Sequence, residues 1–150
     1  EGGGGGNGGE SYSLAHYFAA RHTSCDAIKN RNKKGLLITV GDEPNHMNYD
    51  KHTILRIFGD NLEADITAGE IIDELRKGWE VYHINVLDWS GTSARTQNCW
   101  KELLGDHLIN VDATDDSNVS DIIAALAIKT YKEQYPENNS EEYHKPEVIL

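Results

Sequence analysis

The hydrophobic positions of this chain change period several times, and each change marks an element. Leu14, Ala15, Phe18, Ala19 and His22 recur at helical spacing, with Glu10 or Ser11 placed to cap the first turn, which predicts a helix over residues 12–23. Lys33 and Lys34 then lead into Gly35-Leu36-Leu37-Ile38-Thr39-Val40, an apolar run without alternation that stops at Gly41-Asp42-Glu43-Pro44. Such a run predicts a strand covered on both faces, as in parallel sheets, with Asp42 at its C-terminal end.

The same reading continues along the chain. A short helix is predicted over residues 51–58, stopped by Gly59. Thr67-Ala68-Gly69-Glu70 spells a capping box, and Ile71, Ile72 and Leu75 follow on one face before Gly78 ends that helix. Residues 79–86 read as a second strand, leaving through the loop Leu87-Asp88-Trp89-Ser90-Gly91-Thr92. A helix over residues 94–104 is ended by Gly105, and residues 107–111 form a third short strand. Asp115, Asp116 or Ser117 caps a closing helix with Val119, Ile122, Ile123 and Leu126 on one face.

The two ends lack this patterning. Residues 2–9 are glycine interrupted only by Asn7, a flexible loop with no side chains to bury. Residues 134–145 are polar and contain Pro136, as expected of a mobile or surface-draped tail. The expected organisation is a glycine-rich loop over residues 1–10, a folded unit over 11–133 and a tail over 134–150, with no internal repeat. Strands alternating with amphipathic helices imply an α/β fold of Rossmann-like, three-layer build with a mostly parallel sheet. Ligands of such folds collect at the carboxyl ends of the strands, which here carry Asp42 and Glu43, Asp88, and Asp112.

Composition narrows the function. The length of 150 residues and a hydrophobic fraction of 38% suit one domain. A net charge of −11 argues against nucleic acid, whose phosphates need clustered Lys and Arg, and favours a cation or a basic surface. Cys25 and Cys99 fit no zinc-ligand pattern; a reduced cytoplasmic setting is the simplest reading, with a single bridge left open. The longest apolar runs fall far short of the ~20 residues of a membrane span, and no basic and apolar leader opens the chain. The expected protein is therefore soluble, not exported and without a membrane partner, while the absence of an initial Met is what a fragment would show.

Gly8-Gly9-Glu10-Ser11 with the helix after it, and Lys34-Gly35-Leu36-Leu37-Ile38-Thr39-Val40-Gly41-Asp42-Glu43-Pro44, resemble the C-terminal half of a von Willebrand factor A (VWA) domain. Residues 79–86, Cys99-Trp100-Lys101-Glu102-Leu103-Leu104-Gly105 and residues 119–127 look like its last two strands and closing helix. The resemblance covers about residues 7–130, as pattern and order, and is greatest to the intracellular VWA proteins of bacteria and their phages. It implies a protein-protein interaction module rather than an enzyme, with an ATPase or another subunit of an assembly as partner. It also implies a metal ion-dependent adhesion site (MIDAS). That family site takes Asp-x-Ser-x-Ser from the first strand, a Thr from a glycine-bordered loop, and an Asp from the end of the fourth strand. Asp42 matches the last of these. Ser11 or Glu10 occupies the loop position where Thr is usual, and the Asp-x-Ser-x-Ser strand is not among these residues. The implied ion is Mg2+, with Mn2+ or Ca2+ left open. Because the family's first and fourth strands are neighbours, residues 35–40 would otherwise present an apolar edge, so a missing N-terminal half or another chain is expected to complete the sheet.

Each candidate has a local alternative. Asp42 also suits a turn ahead of Pro44, and Ser11 suits a helix cap. Asp88-Trp89-Ser90-Gly91-Thr92 spells Asp-x-Ser-x-Thr after a strand, so a permuted metal set of Asp88, Ser90, Thr92 and Asp42 is conceivable, although chain order opposes it and such residues are common in loops. The glycine run lacks the Lys and spacing of a phosphate loop. His46 and His52 want a third ligand, and Cys25 wants a base. Trp79, Trp89 and Trp100 suit packing, with Trp89 placed where an interface contact would lie. A competing function is a magnesium-dependent nucleotide-binding or phosphoryl-transfer domain using Asp42, Glu43 and Asp88. It calls for a Lys or Arg at the strand ends, and the sequence puts none next to Asp42 or Asp88. A third is a structural domain whose metal site has decayed, in keeping with the missing loop Thr.

Overall fold

The computed structural model describes residues 8–87, 94–112 and 118–136. Three strands, β1 (Gly35–Gly41), β4 (Trp79–Leu87) and β5 (Leu108–Asp112), form a parallel sheet in the order β1-β4-β5. Two further strands of two residues each, β2 (Asn48–Tyr49) and β3 (Ile66–Thr67), pair antiparallel beside it. The helices are α1 (Tyr12–Arg21), α2 (Asp26–Arg31), α3 (Lys51–Phe58), α4 (Ala68–Leu75), α5 (Ala94–Leu104) and α6 (Asn118–Gln134). Leu37 lies opposite Val81, Thr39 opposite His83 and Gly41 opposite Asn85. The expected α/β class with a parallel sheet is what the described residues form.

The central strand is buried on both faces. Val81, His83 and Asn85 alternate with Tyr82 and Ile84, and all five are buried. Val81 joins one core with Ile54, Ile71, Ile72, Leu75 and Trp100, contributed by α3, α4 and α5. Burying an Ile or Leu side chain fully stabilises a fold by roughly 1.5–3 kcal/mol, so the Ile71, Ile72 and Leu75 face ties α4 into the core far more strongly than its cap does. Helix α6 touches β1, and its Lys129 ammonium reaches the Tyr82 hydroxyl at 3.4 Å.

Local chemistry explains the helix ends. Asp50 caps α3 by accepting from the Thr53 N–H at 2.9 Å, and Gly59 closes it in the left-handed conformation at φ 82°. The Thr67 hydroxyl accepts from Glu70 N–H, while the Glu70 carboxylate accepts from Thr67 N–H at 2.8 Å, which is the reciprocal capping box expected of that tetrapeptide.

The structure departs from the sequence expectations in several places. Helix α1 ends at Arg21 rather than residue 23, because the His22 N–H closes the last turn on Phe18 and the Thr23 hydroxyl turns back to Ala19 O. Helix α2 was not expected, and none of its residues is buried. The third strand begins at Leu108, because Gly105, at φ 61°, starts a single 3-10 turn through His107. Helix α6 extends to Gln134, whose side-chain amide accepts from Lys34 N–H at 2.6 Å and donates to Lys34 O at 3.0 Å. Its inward residues are Leu126 and Thr130, whereas Ile123 is 38% exposed. The expected caps of this helix, Asp115, Asp116 and Ser117, lie outside the described residues. Cys25 and Cys99 are both free thiols, and among the described residues no helix is long and apolar enough to cross a membrane.

Candidate metal-binding cleft

The end of the glycine loop is bound to the exit of β1. Glu10 N–H donates to Pro44 O at 2.8 Å, and Glu10 O accepts from His46 N–H at 3.0 Å. Gly9 lies so close that a Cβ there would meet Pro44 O at 3.0 Å. Behind this contact, the buried Asn45 side chain accepts from Ser13 N–H at 3.1 Å and from Tyr49 hydroxyl at 3.0 Å, and donates to Ser13 Oγ at 2.6 Å. These bonds fix where α1 begins relative to the end of β1.

The result is an open cleft of roughly 540 Å³ lined by Glu10, Ser11, Tyr12, Ala15, Val40, Gly41 and Asp42. Ser11 is the residue before α1, but its side chain makes no capping bond, so the expected cap by Ser11 is not formed. No hydrogen bond joins the exposed Asp42 carboxylate to another described residue, so Asp42 is not closing the turn before Pro44. Glu43 lies beside the cleft rather than in its lining, held by its carbonyl accepting from Trp100 Nε1 at 3.0 Å. Asp88, Ser90 and Thr92, with Trp89, fall outside the described residues. Asp112 ends β5 and is separated from β1 by β4.

Tyr12, which the sequence reading passed over, is central to this geometry. Burial raises its phenol pKa; a backbone hydrogen bond with Glu43 opposes this, and the charges of Asp42, Glu10 and Glu43 push it further up. Its ring stands edge-on to His83 and to Trp100, with centroids 5.3 and 5.2 Å away. Below it His83 stacks on Trp100 at 3.6 Å, and Thr39 Oγ1 lies 2.8 Å from His83 Nδ1. Burial depresses the His16 imidazole to about 4. Burial, with the charge of His16 second, depresses His83 to about 3. Both rings are therefore neutral at pH 7, so neither imidazole sets a positive charge against a bound cation.

Oxygen is thus the donor atom on offer: the Glu10 and Asp42 carboxylates and the Ser11 hydroxyl. Hard dications take such sets, with one or two carboxylates and waters completing the shell. Among the described residues no three His, Cys, Asp or Glu side chains gather as a metal-holding group, so His46 and His52 find no third ligand and the cleft relies on hydroxyl oxygen beside its two acids. One cation does reach the loop. The Arg95 guanidinium packs on Gly8, where a Cβ would meet Nη1 at 2.9 Å. Linear distance along the chain concealed that approach. Comparison with protein-family models, curated proteins and solved structures finds no match for this chain.

Proposed function

We propose that this chain is a protein-protein interaction module of the VWA type, in which the cleft beside β1 holds a divalent metal whose open position takes an acidic group of a partner. The observation that carries the reading is that Ser11 and Asp42, far apart in sequence, line one cleft while neither side chain is spent on a hydrogen bond to a described residue. Asp42, Glu10 and Ser11 would hold the ion, for which Mg2+ fits best. The ion supplies positive charge where two acidic surfaces would otherwise repel, a need that a net charge of −11 makes concrete. The order β1-β4-β5 with β1 outermost is also in keeping with the second half of a doubly wound sheet. An ATPase or assembly subunit as partner, and an intracellular bacterial or phage setting, follow from the resemblance alone.

A second reading has one observation in its favour. A magnesium-dependent nucleotide site needs a cation near the strand ends, and Arg95 lies against the glycine loop two residues before Glu10. Calorimetric titration separates the two. Mg2+ titrated into the intact chain should release heat that Asp42→Ala abolishes, whereas equal heats in both chains would remove Asp42 as a ligand. Binding of a nucleoside triphosphate that Arg95→Ala weakens would favour the second reading over the first.

A further inference from the structure

At the end of the sheet away from the metal cleft, where β1 and β4 begin, the chain reverses its charge. Residues 21–34 hold five of the 14 Lys and Arg, namely Arg21, Lys29, Arg31, Lys33 and Lys34, and one of the 25 acids, Asp26. Four of these cations are engaged. Arg21 pairs with Glu74 at 2.7 Å, Arg31 with Asp26 at 3.0 Å and Lys34 with Glu80 at 3.0 Å, and Lys33 is held by Gln134 O and the Tyr135 ring. The Lys29 ammonium forms no hydrogen bond or ion pair with another described residue, and neither does that of Lys77, two residues after α4.

Both residues line one open pocket of about 320 Å³ between α1, α2, α4 and the start of β4. Ala19, Ala20, Leu75 and Trp79 supply its apolar lining. Helix α2 finds its role here. Cys25, which precedes it, Ile28 and Lys29 stand at i, i+3 and i+4, so they share one face, and all three line the pocket. Ile28 closes against Gly78, where a Cβ would meet its Cδ1 at 3.0 Å. Another face is satisfied within the helix, since Asp26 accepts from Asn30 at 2.6 Å as well as pairing with Arg31. Glu74 also lines the pocket, but the Arg21 guanidinium holds its carboxylate through Nε at 2.9 Å and Nη2 at 2.7 Å. The uncompensated charge of the pocket is therefore positive, in a chain of net charge −11. None of the lining comes from β1, so a strand added beside β1 does not fill it.

We propose that this pocket binds a small amphipathic organic anion, with its apolar body against Ala20, Ile28 and Trp79 and its acidic head between the Lys29 and Lys77 ammoniums. An apolar lining with a few polar groups that fix orientation is the usual build of a small-molecule site, and such sites begin at about 300 Å³. The Lys stems extend the apolar wall while their charged ends stay at the rim. Trp79 begins β4 opposite Gly35, whereas the metal cleft lies at Gly41, so the two sites stand a strand length apart, roughly 20 Å. The inference does not rest on a metal in the cleft, and its test contains none.

Cys25 reports on the pocket directly, because in the full chain carrying Cys99→Ser it is the sole thiol. Its reaction with dithiobis-nitrobenzoate, an aromatic disulfide with a carboxylate on each ring, is compared with that of uncharged dithiodipyridine. In each case the Cys25 thiolate forms a mixed disulfide and the other half of the reagent leaves as a thiolate. Both rates are divided by those of mercaptoethanol, so the neutral reagent reads any change in the thiol itself. An acidic chain repels anions in general, so a preference for the anionic reagent marks a local positive site. That preference should be about tenfold or more, and the rate should saturate with reagent concentration. Lys29→Gln with Lys77→Gln, both exposed, should abolish it, whereas Arg56→Gln with Lys101→Gln, an equal change of net charge on α3 and α5, should leave it in place. Anilinonaphthalene sulfonate, an aromatic body with one acidic head, should protect Cys25 from the neutral reagent. No preference for the anionic reagent overturns the proposal. So does a preference that both pairs of substitutions lower equally, or a Cys25 that the sulfonate leaves unprotected.

Discussion

The Tyr12 hydroxyl fills the space that a side chain at Gly41 would need: a Cβ there would meet the phenol oxygen at 1.9 Å. The ring cannot simply step aside, because His83 and Trp100 hold it edge-on from below. This contact brings the start of α1 down onto the end of β1 and sets the width of the cleft between Ser11 and Asp42.

Gly41→Ala should therefore act through Tyr12. Overpacking of a filled site costs about 1–3 kcal/mol, and urea denaturation should show a loss of that order. In a Tyr12→Ala background the same substitution should cost little, since the clashing oxygen is gone and residues in contact couple non-additively. Equal costs in the two backgrounds would mean that the strain lies elsewhere.

Ser11 and Thr67 occupy the same position relative to their helices but differ in what they do. Thr67 Oγ1 accepts from Glu70 N–H at 3.2 Å, whereas Ser11 caps nothing. Thr67→Ala should lower stability by about 1 kcal/mol, as expected for loss of an N-cap. Ser11→Ala should leave the urea midpoint almost unmoved while weakening Mg2+ binding in the calorimeter. A Ser11→Ala chain that loses stability and keeps its metal heat would reverse the two assignments.

The elements that the sequence made legible are those whose cause is local. The Thr67 to Glu70 box, Gly59 after α3, Gly105 after α5 and the unalternating run of β1 all state their conformation within a few residues. Helix α2 is six residues long and buries none of them fully, so it leaves no apolar period to find, and strands β2 and β3 are too short for one. The site divides in the same way. Asp42, Ser11 and Glu10 could be named from residue type and position at an element's end. Tyr12 over Gly41, Asn45 bonded to Ser13, and Arg95 against Gly8 are contacts between distant segments, and a glycine at a strand end was the one local trace of them.

Asn45 joins those segments most directly. Its amide serves Ser13 N–H, Ser13 Oγ and the Tyr49 hydroxyl, and the residue is 4% exposed. Asn45→Ala leaves buried partners unmet, which typically costs about 1–3 kcal/mol for such groups. The loss should exceed that of Asn48→Ala on the exposed neighbouring strand residue, measured by the same denaturation. Comparable losses would show that the bonds to Asn45 hold nothing that the backbone pairing of Glu10 does not already hold.

The two buried imidazoles give the fold a pH dependence of known sign. Burial holds His16 at about 4 and His83 at about 3, both below the ordinary value of 6.5. Between those values the unfolded chain binds protons that the folded chain does not, so stability is full above about pH 6.5 and falls as the pH drops. Each group contributes at most about 1.4 kcal/mol per pH unit within its window. Asp60, Glu70 and Glu74 are also held low, Asp60 first by the Tyr17 hydroxyl, Glu70 by Thr67 and Glu74 by Arg21. Their stabilisation is lost as pH falls through those depressed values, below the upper part of the histidine window. Urea midpoints taken from pH 6.5 down to about 5 therefore isolate the imidazoles, and His83→Gln should flatten the slope there while leaving the more acidic limb in place. An unchanged slope would mean that His83 takes up its proton without unfolding the chain, through an opening beneath Tyr12.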